Sequence, residues 1–298
     1  MSRRVVSLLP SATEIVCALG CAEQLVGISH ECDFPESIRD RPVLTRSRID
    51  PGASSLAIDV AVRTVIRDAL SIYEVDSERL ASLAPDVIVT QDLCEVCAVS
   101  LDDVRAAVAR LALRDRIDIV STSPTRLADV LGDIERVAAA IGVTERGTVV
   151  RAELEQRIRS LAERAATASV RPRVVTLEWI DPLMIGGTWM PELIELAGGD
   201  PIGATAGAPA PTITPQMLRD MAPDVVVIKA CGFTIERALA ERDAIERNVL
   251  AMVPAARVYV TDGNAFFNRP GPRLVESLAI LAACIHPDRF DASPIVRL

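Results

Sequence analysis

The sequence predicts an α/β protein made of two similar lobes, because one pattern occurs in both halves. Residues 5–8 read Val-Val-Ser-Leu, and residues 174–177 read Val-Val-Thr-Leu. A helix-like stretch follows each run and stops at a small residue, Gly20 in the first half and Gly198 in the second. Short apolar strands that alternate with helices are typical of parallel sheets covered by helices on both faces. Two lobes imply a cleft, and clefts commonly hold small ligands.

A second motif marks the repeat. Residues 83–89 read Leu-Ala-Pro-Asp-Val-Ile-Val, and residues 221–227 read Met-Ala-Pro-Asp-Val-Val-Val. The interval between the helix stop and this motif is longer in the first half. The first lobe therefore carries an insertion, which we place at 43–76, with an amphipathic helix near 56–73.

Hydrophobic periodicity predicts the elements in chain order. Ser11 is expected to cap the first helix, with Glu14 three residues on as in a capping box. A long, charged, proline-free stretch between the halves predicts a rigid connecting helix. The predicted domains are a first lobe at 1–143, the helix at 144–168 and a second lobe at 169–298. The predicted strands are 4–9, 25–28, 87–90, 117–120, 173–177, 225–229 and 257–260, and the predicted helices are 11–19, 56–73, 102–111, 127–141, 190–197, 234–247 and 272–285.

Composition argues against two classes of partner. The 298 residues carry a formal net charge of −9, and Lys229 is the only lysine. Nucleic-acid binding needs a basic face, which this composition does not favour. The apolar run at the start is too short for a secretory signal or a membrane span. The seven cysteines are scattered, which is typical of reduced thiols. We therefore expect a cytoplasmic protein without membrane insertion.

Ligands of open parallel sheets bind beyond the carboxyl ends of the strands, so the loops there supply the candidate site. In the first lobe these loops are 9–12, 29–34, 90–99 and 121–124, and in the second lobe they are 178–189, 229–233 and 261–272. Cys94 and Cys97 form a Cys-x-x-Cys pair, which indicates a redox dithiol, half of a zinc site, or simple packing. His30 and Cys32 could complete a set of four soft ligands. The candidate ligand-binding residues of the first lobe are His30, Glu31, Asp92, Cys94 and Cys97.

Aromatic side chains mark the loops of the second lobe. Both tryptophans lie in loop 178–189, and two phenylalanines are adjacent in loop 261–273. A flat apolar wall with hydrogen-bonding neighbours suits a bulky amphipathic ligand. The alternative is that these rings pack into their own lobe. The candidate ligand-binding residues are Trp179, Trp189, Phe233, Asn264, Phe266, Phe267 and Arg269.

Several enzyme signatures are missing. The sequence contains no Gly-x-Gly-x-x-Gly, no phosphate-binding Gly-x-x-x-x-Gly-Lys and no Gly-x-Ser-x-Gly. It has two histidines, of which His30 alone lies in a candidate loop. Acid–base catalysis would have to depend on carboxylates or thiols. We therefore expect a protein without catalytic activity.

The opening Leu-Leu-Pro-Ser-Ala-Thr-Glu (8–14), the segment 83–89, the long central helix and the ending Phe-Asn-Arg-Pro-Gly-Pro-Arg (267–273) resemble the cobalamin-binding substrate-binding proteins of ABC importers. Their superfamily also binds siderophores, haem and metal ions. The resemblance implies two Rossmann-like lobes joined by one long α-helix, with the ligand cleft between them. It also implies a monomer with no cofactor of its own, aromatic side chains around a corrin ring, and a permease that docks on exposed acidic residues. The docking candidates are Glu95, Asp102 and Glu236.

The resemblance makes the primary hypothesis the non-catalytic binding of cobalamin or a related corrinoid. The chain would act as a transport receptor or, without a secretory signal, as a cytoplasmic carrier. His30, Cys94 and Cys97 are candidates to approach the cobalt, because imidazole and thiolate suit such metals. One alternative is a receptor for another metal chelate, such as haem or a siderophore, or for a metal ion. The other is a redox or metal-handling enzyme that works through Cys94 and Cys97.

Overall fold

The computed structural model describes residues 2–67, 73–91, 117–291 and 293–298. Within these ranges the protein is α/β, as the sequence predicts. The chain divides into two compact units. The first comprises Met1–Gly52, Val60–Pro124 and Ala128–Glu153, and the second comprises Ala53–Asp59, Thr125–Leu127 and Leu154–Leu298. None of the helices in the described ranges has the length and hydropathy of a membrane span.

Within the described ranges, the predicted elements up to the connecting helix are present with small shifts at their ends. Predicted helix 102–111 and loop residues 92–99 lie outside the described ranges. The structure has β1 (Val5–Ser7), α1 (Pro10–Ala18), β2 (Leu25–Ile28), β3 (Thr45–Ser47), α2 (Ser55–Arg67), β4 (Tyr73–Val75), α3 (Ser77–Leu83), β5 (Val87–Gln91), β6 (Asp118–Thr122), α4 (Leu127–Ala140) and α5 (Thr144–Ala166). Of these, β3, β4 and α3 were not predicted.

The remaining elements belong to the second unit. A π-helical turn, Glu246–Leu250, follows α9 directly. The structure has β7 (Arg173–Ile180), β8 (Leu183–Ile185), α6 (Met190–Leu196), β9 (Asp200–Pro201), β10 (Thr212–Ile213), α7 (Pro215–Met221), β11 (Val225–Ile228), α8 (Ile235–Leu239), α9 (Arg242–Ile245), β12 (Arg257–Thr261), α10 (Leu274–Ile285) and β13 (Ile295–Arg297).

The main sheet of the first unit is parallel, with strand order β2-β1-β5-β6. Its central strands are fully buried, as strands covered on both faces must be. The insertion contains α2 and a separate antiparallel pair, β3 with β4. The prediction of helix up to residue 73 was wrong at its end. Tyr73 instead begins β4, where it is buried and pairs with Ser47.

The second unit has a parallel centre with antiparallel additions. Strands β9, β7, β11 and β12 pair in parallel, which confirms the predicted central sheet. Strands β8, β10 and β13 pair antiparallel with their neighbours and were not predicted. Strand β8 begins three residues after β7 ends, and so short a connection can join only antiparallel strands.

The Ala-Pro-Asp motif makes the same hydrogen bonds in both units. The Asp86 carboxylate accepts from the Arg4 backbone N–H at 2.8 Å, and the Asp86 N–H donates to the Arg4 carbonyl at 2.9 Å. Asp224 makes the same pair of bonds with Arg173, at 2.7 and 2.9 Å. The sequence repeat is therefore a repeat of structure. The helix that leads into each motif ends at the alanine of the motif, whose backbone has the left-handed conformation: Ala84 has φ 41° and Ala222 has φ 43°.

The first helix starts differently from the prediction. It begins at Pro10, and its N-cap, Leu9, makes no side-chain capping bond. Ser11 and Glu14 lie inside the helix and are buried, so the predicted capping box was wrong. Proline suits the first helical position because its missing N–H would have had no helical partner there.

Helices α4 and α5 pack closely at one glycine. A Cβ added to Gly147 on α5 would lie 2.5 Å from the Ala138 Cβ and 3.3 Å from the Glu135 Cα. Neither of these atoms can move without shifting the helix backbone. A Cβ added to Gly132 on α4 would meet no neighbouring atom within 4 Å. Gly132 is therefore a matched control on a helix of the same unit.

We expect Gly147→Ala to destabilise the protein by about 1–3 kcal/mol, because the added methyl group overpacks the contact. We expect Gly132→Ala to stabilise it by roughly 0.5–1 kcal/mol through helix propensity. Urea unfolding of both variants measures the difference. Equal effects of the same sign would contradict the close packing.

Asp133 is a buried acid on α4. Its side chain is 4% exposed, and one oxygen accepts from Arg136 at 2.6 Å. The other oxygen, Oδ2, is buried and has no hydrogen-bond partner in the part of the chain that the structure describes. Burial raises the pKa of Asp133 to about 6, against the partial opposing effect of Arg136. The charged carboxylate is therefore disfavoured in the folded protein.

This raised pKa has a defined effect on stability. Between the ordinary value of 3.8 and about 6, the folded protein holds a proton that the unfolded chain has lost, so stability falls as pH rises through this window. At about pH 7.5 we expect Asp133→Asn to be more stable than the wild type by about 1–3 kcal/mol, a gap that closes near pH 4. Thermal unfolding across pH checks this, with the exposed Asp220→Asn as control. A destabilised Asp133→Asn at every pH would refute the argument.

Candidate functional site

The carboxyl end of β2 holds a histidine in a network of hydroxyl groups. His30 Nδ1 lies 2.7 Å from Thr45 Oγ1, and the His30 backbone N–H donates to the same oxygen at 3.0 Å. The Thr45 hydroxyl donates its hydrogen to Ser29 Oγ at 3.0 Å. Because a hydroxyl has one hydrogen, Thr45 accepts from Nδ1–H. The network therefore selects the tautomer whose Nε2 carries the lone pair.

A tyrosine from the insertion completes this network. The Tyr73 hydroxyl donates to Glu31 Oε1 at 3.0 Å. The Tyr73 ring lies 5.4 Å from the His30 ring, centroid to centroid. Partial burial lowers the pKa of His30, although the residue keeps an exposed surface. His30 is therefore a neutral imidazole at neutral pH. The sequence placed His30 and Glu31 in the site but missed Thr45 and Tyr73, which the insertion supplies.

Cys32, one of the proposed soft ligands, lies in the interior of the first unit. Its Sγ is 3.1 Å from Thr13 Oγ1, and its exposed fraction is 7%. The Thr13 hydroxyl also lies 2.8 Å from Ser7 Oγ. Within the described ranges no three His, Cys, Asp or Glu side chains form a group that could hold a metal ion. Predicted residues that lie outside those ranges are Asp92, Cys94, Glu95, Cys97 and Asp102.

Two of the thiols that the structure describes are poorly suited to redox or nucleophilic chemistry. Burial raises the pKa of Cys17 to about 11 and that of Cys284 to about 12. A thiol reacts through its thiolate, and these values keep the thiolate population of both residues low. The enzyme hypothesis names neither of them and rests on Cys94 and Cys97, which lie outside the described ranges.

Three of the aromatic residues predicted to contact ligand are buried. Trp189 is 5% exposed, Phe233 is 3% exposed and Phe267 is fully buried. The Trp189 indole N–H donates to the Phe267 carbonyl at 3.0 Å, and the Phe267 N–H donates to Ser277 Oγ at 2.9 Å. Their burial places these three side chains in the packing of the second unit, and their contact with a ligand stays a prediction.

Trp179 and Phe266 keep part of their surface exposed. The Trp179 indole N–H donates to the Ser55 carbonyl at 3.2 Å, and its ring lies 5.2 Å from that of Phe233. The Arg273 guanidinium carbon lies 5.3 Å from the Phe266 ring centroid. These two aromatic residues therefore remain candidates for ligand contact.

The segment Ala53–Asp59 belongs to the second unit although the insertion supplies it. The Ser55 N–H and hydroxyl both donate to the Glu241 carboxylate, at 3.1 and 3.0 Å. Arg237 donates to the same carboxylate at 3.0 Å and also to the Ala53 carbonyl. This contact explains why the Trp179 indole finds its acceptor in a residue distant in sequence.

The polar candidates of the second unit have different degrees of exposure. Arg269 is 7% exposed and donates to Asn264 Oδ1 at 3.3 Å. Glu236 is exposed in the first turn of α8, and hydrogen bonds from its own backbone N–H and from Thr234 lower the pKa of its carboxyl. Glu236 is thus a charged surface carboxylate, as a docking residue would have to be.

The sequence missed a buried ion pair in the second unit. The Lys229 ammonium lies 3.1 Å from Glu178 Oε2 and 2.7 Å from Asn268 Oδ1. Lys229 is 1% exposed, and a lysine is almost never so buried without partners. The sequence held one indication of this pair: Lys229 is the only lysine, and it directly follows an apolar strand.

The similarity to known proteins extends over most of the chain. The profile of the family described as "Periplasmic binding protein" matches residues 5–264. The vitamin B12-binding protein of Yersinia pestis (strain Pestoides F) is 25% identical over 279 residues, which cover 92% of this chain and 83% of that protein. The relative of the same name from Yersinia pseudotuberculosis serotype O:1b has the same identity and coverage.

Two solved structures show the same fold. A periplasmic heme-binding protein from Pseudomonas aeruginosa matches with a TM-score of 0.73 and 21% identity, over 100% of this chain and 98% of that one. The periplasmic vitamin B12-binding protein of Vibrio cholerae matches with a TM-score of 0.66 and 21% identity, over 95% and 96%. These matches confirm the resemblance found in the sequence. The chain belongs to the periplasmic binding protein family.

Proposed function

We propose that this protein is a non-catalytic receptor that binds cobalamin or a related corrinoid. The observation that carries the proposal is the similarity to vitamin B12-binding proteins along nearly the whole chain, 92% of it at 25% identity. A shared fold alone would not separate cobalamin from other ligands, because one fold serves many functions.

The His30 network supports a ligand that contains a metal. A histidine that binds a metal usually donates its other ring N–H to a fixed acceptor, which orients the ring and sets the tautomer. His30 has this arrangement through Thr45, and the lowered pKa keeps the ring neutral at neutral pH. A neutral imidazole suits cobalt and iron alike. Haem is therefore the second candidate ligand, on the same observation.

The role in the cell has two versions under this proposal. As a transport receptor, the loaded protein would dock on an ABC importer permease through exposed acids such as Glu236. As a cytoplasmic carrier, it would deliver the corrinoid without a permease. In both versions the protein works as a monomer and leaves the ligand chemically unchanged.

We expect hydroxocobalamin to remain with the protein through a desalting column in an equimolar amount, read from its visible absorbance. Haemin passed through the same column with the protein tests whether haem, the second candidate ligand, binds. A protein fraction that stays colourless with hydroxocobalamin but retains haemin would replace the corrinoid with haem. A fraction that retains neither would refute the proposal.

We expect His30→Gln to lower the affinity for hydroxocobalamin by about tenfold or more and to alter the visible spectrum of the bound ligand, because the imidazole is lost. Thr45→Val, which removes the acceptor that orients the ring, is expected to weaken binding less. The control is His286→Gln, since His286 is the other histidine, is buried, and lies 3.1 Å from the Gly198 carbonyl. The same spectrum in wild type and His30→Gln would exclude His30 from the metal.

A further inference from the structure

Lys229 is unusual in both sequence and structure. It is the only lysine, and it ranks first by volume among the fully buried side chains of the described residues. It directly follows β11, at the carboxyl end of the sheet where the candidate loops begin. Burying an ammonium group costs free energy unless hydrogen-bonding partners compensate, so its partners must stay in place.

Those partners come from the carboxyl ends of β7 and β12, the two strands that flank β11. Glu178, near the end of β7, accepts from the ammonium at 3.1 Å and from the Gly187 N–H at 3.3 Å. Asn268, in the loop after β12, accepts from the ammonium at 2.7 Å. The Asn268 amide group also donates to the carbonyls of Lys229 and Gly263, at 3.0 and 2.8 Å. One ammonium group therefore connects the ends of three adjacent strands.

Two glycines provide the space for this arrangement. A Cβ at Gly186 would lie 3.0 Å from the Lys229 Cε and 2.5 Å from the Thr176 Oγ1. A Cβ at Gly263 would lie 2.5 Å from the Lys229 carbonyl oxygen. The three strand ends can therefore approach each other only because these residues lack side chains.

We propose that Lys229 is a positioning residue that fixes two strand-end loops relative to each other: residues 178–187, which include the end of β7 and the short strand β8, and residues 263–268. These loops carry Trp179, Asn264 and Phe266, the partly exposed candidates for ligand contact. The effect on ligand affinity rests on the proposed function, whereas the effect on the loops does not. If either loop left its place, the buried ammonium would lose one of its two partners, and this penalty keeps both loops ordered before a ligand arrives.

The competing explanation is that the ion pair only contributes stability. Lys229→Met removes the charge and leaves Glu178 without its cation. Glu178→Gln combined with Lys229→Met removes both charges, and neutral replacements often recover the stability of a buried ion pair. Leu218→Ala serves as the control, because it removes a fully buried core side chain of α7 in the same unit but keeps Lys229 and both of its partners.

The experiment measures hydrogen exchange of the ligand-free protein, thermal unfolding and hydroxocobalamin affinity for each variant. With Lys229→Met and with the double variant, we expect amides in both loops to exchange about tenfold faster, while those of β11 and β12 do not change. We also expect roughly tenfold weaker affinity in both variants, the scale of losing one good contact. Leu218→Ala should lower the unfolding temperature without either effect.

Two outcomes would overturn the proposal. One is loop exchange in Lys229→Met equal to that of the wild type. The other is a double variant that regains wild-type stability, loop exchange and affinity together. That result would mean that the ion pair only contributes stability. If the wild type binds no hydroxocobalamin, the proposed function fails, and the exchange measurement alone then decides the role of Lys229.

Discussion

A carboxylate that accepts a hydrogen bond from the adjacent strand fixes the central pairing of both sheets. Asp86 holds the start of β1 against β5, and Asp224 holds β7 against β11 in the same way. The side chains of a strand alternate between its two faces, so a slip of one residue would move every buried side chain to the opposite face of the sheet. The positions of all loops beyond the carboxyl ends depend on this register.

Each unit places a polar network where its parallel strands end. In the first unit, hydroxyl groups orient the neutral imidazole of His30. In the second, a carboxylate and an amide hold the ammonium of Lys229. Both groups depend on partners that come from other segments of the chain, so each network joins loops that the strands alone would leave independent. Prearranged loops bind with a smaller loss of conformational entropy, which is the physical advantage of such networks in a receptor.

Regular patterns made much of the fold predictable. Strand β2 was predicted at residues 25–28, and the repeated Ala-Pro-Asp motif identified equivalent strands in the two halves. The short antiparallel strands β8, β10 and β13 were missed because pairings of two or three residues have no measurable periodicity. The capping box failed because Pro10 could start the helix one residue earlier.

The site was harder to predict, because a sequence shows which residues follow a strand but not which way they turn. Phe266 and Phe267 illustrate this: they are adjacent, yet Phe267 is fully buried at φ 66° while Phe266 keeps exposed surface. With Trp189 also buried, few aromatic surfaces remain for a ligand in the described part of the second unit. Burial constrains Lys229 in the same way, because an ammonium group that is almost fully buried can act on its surroundings only through the side chains that it holds in place.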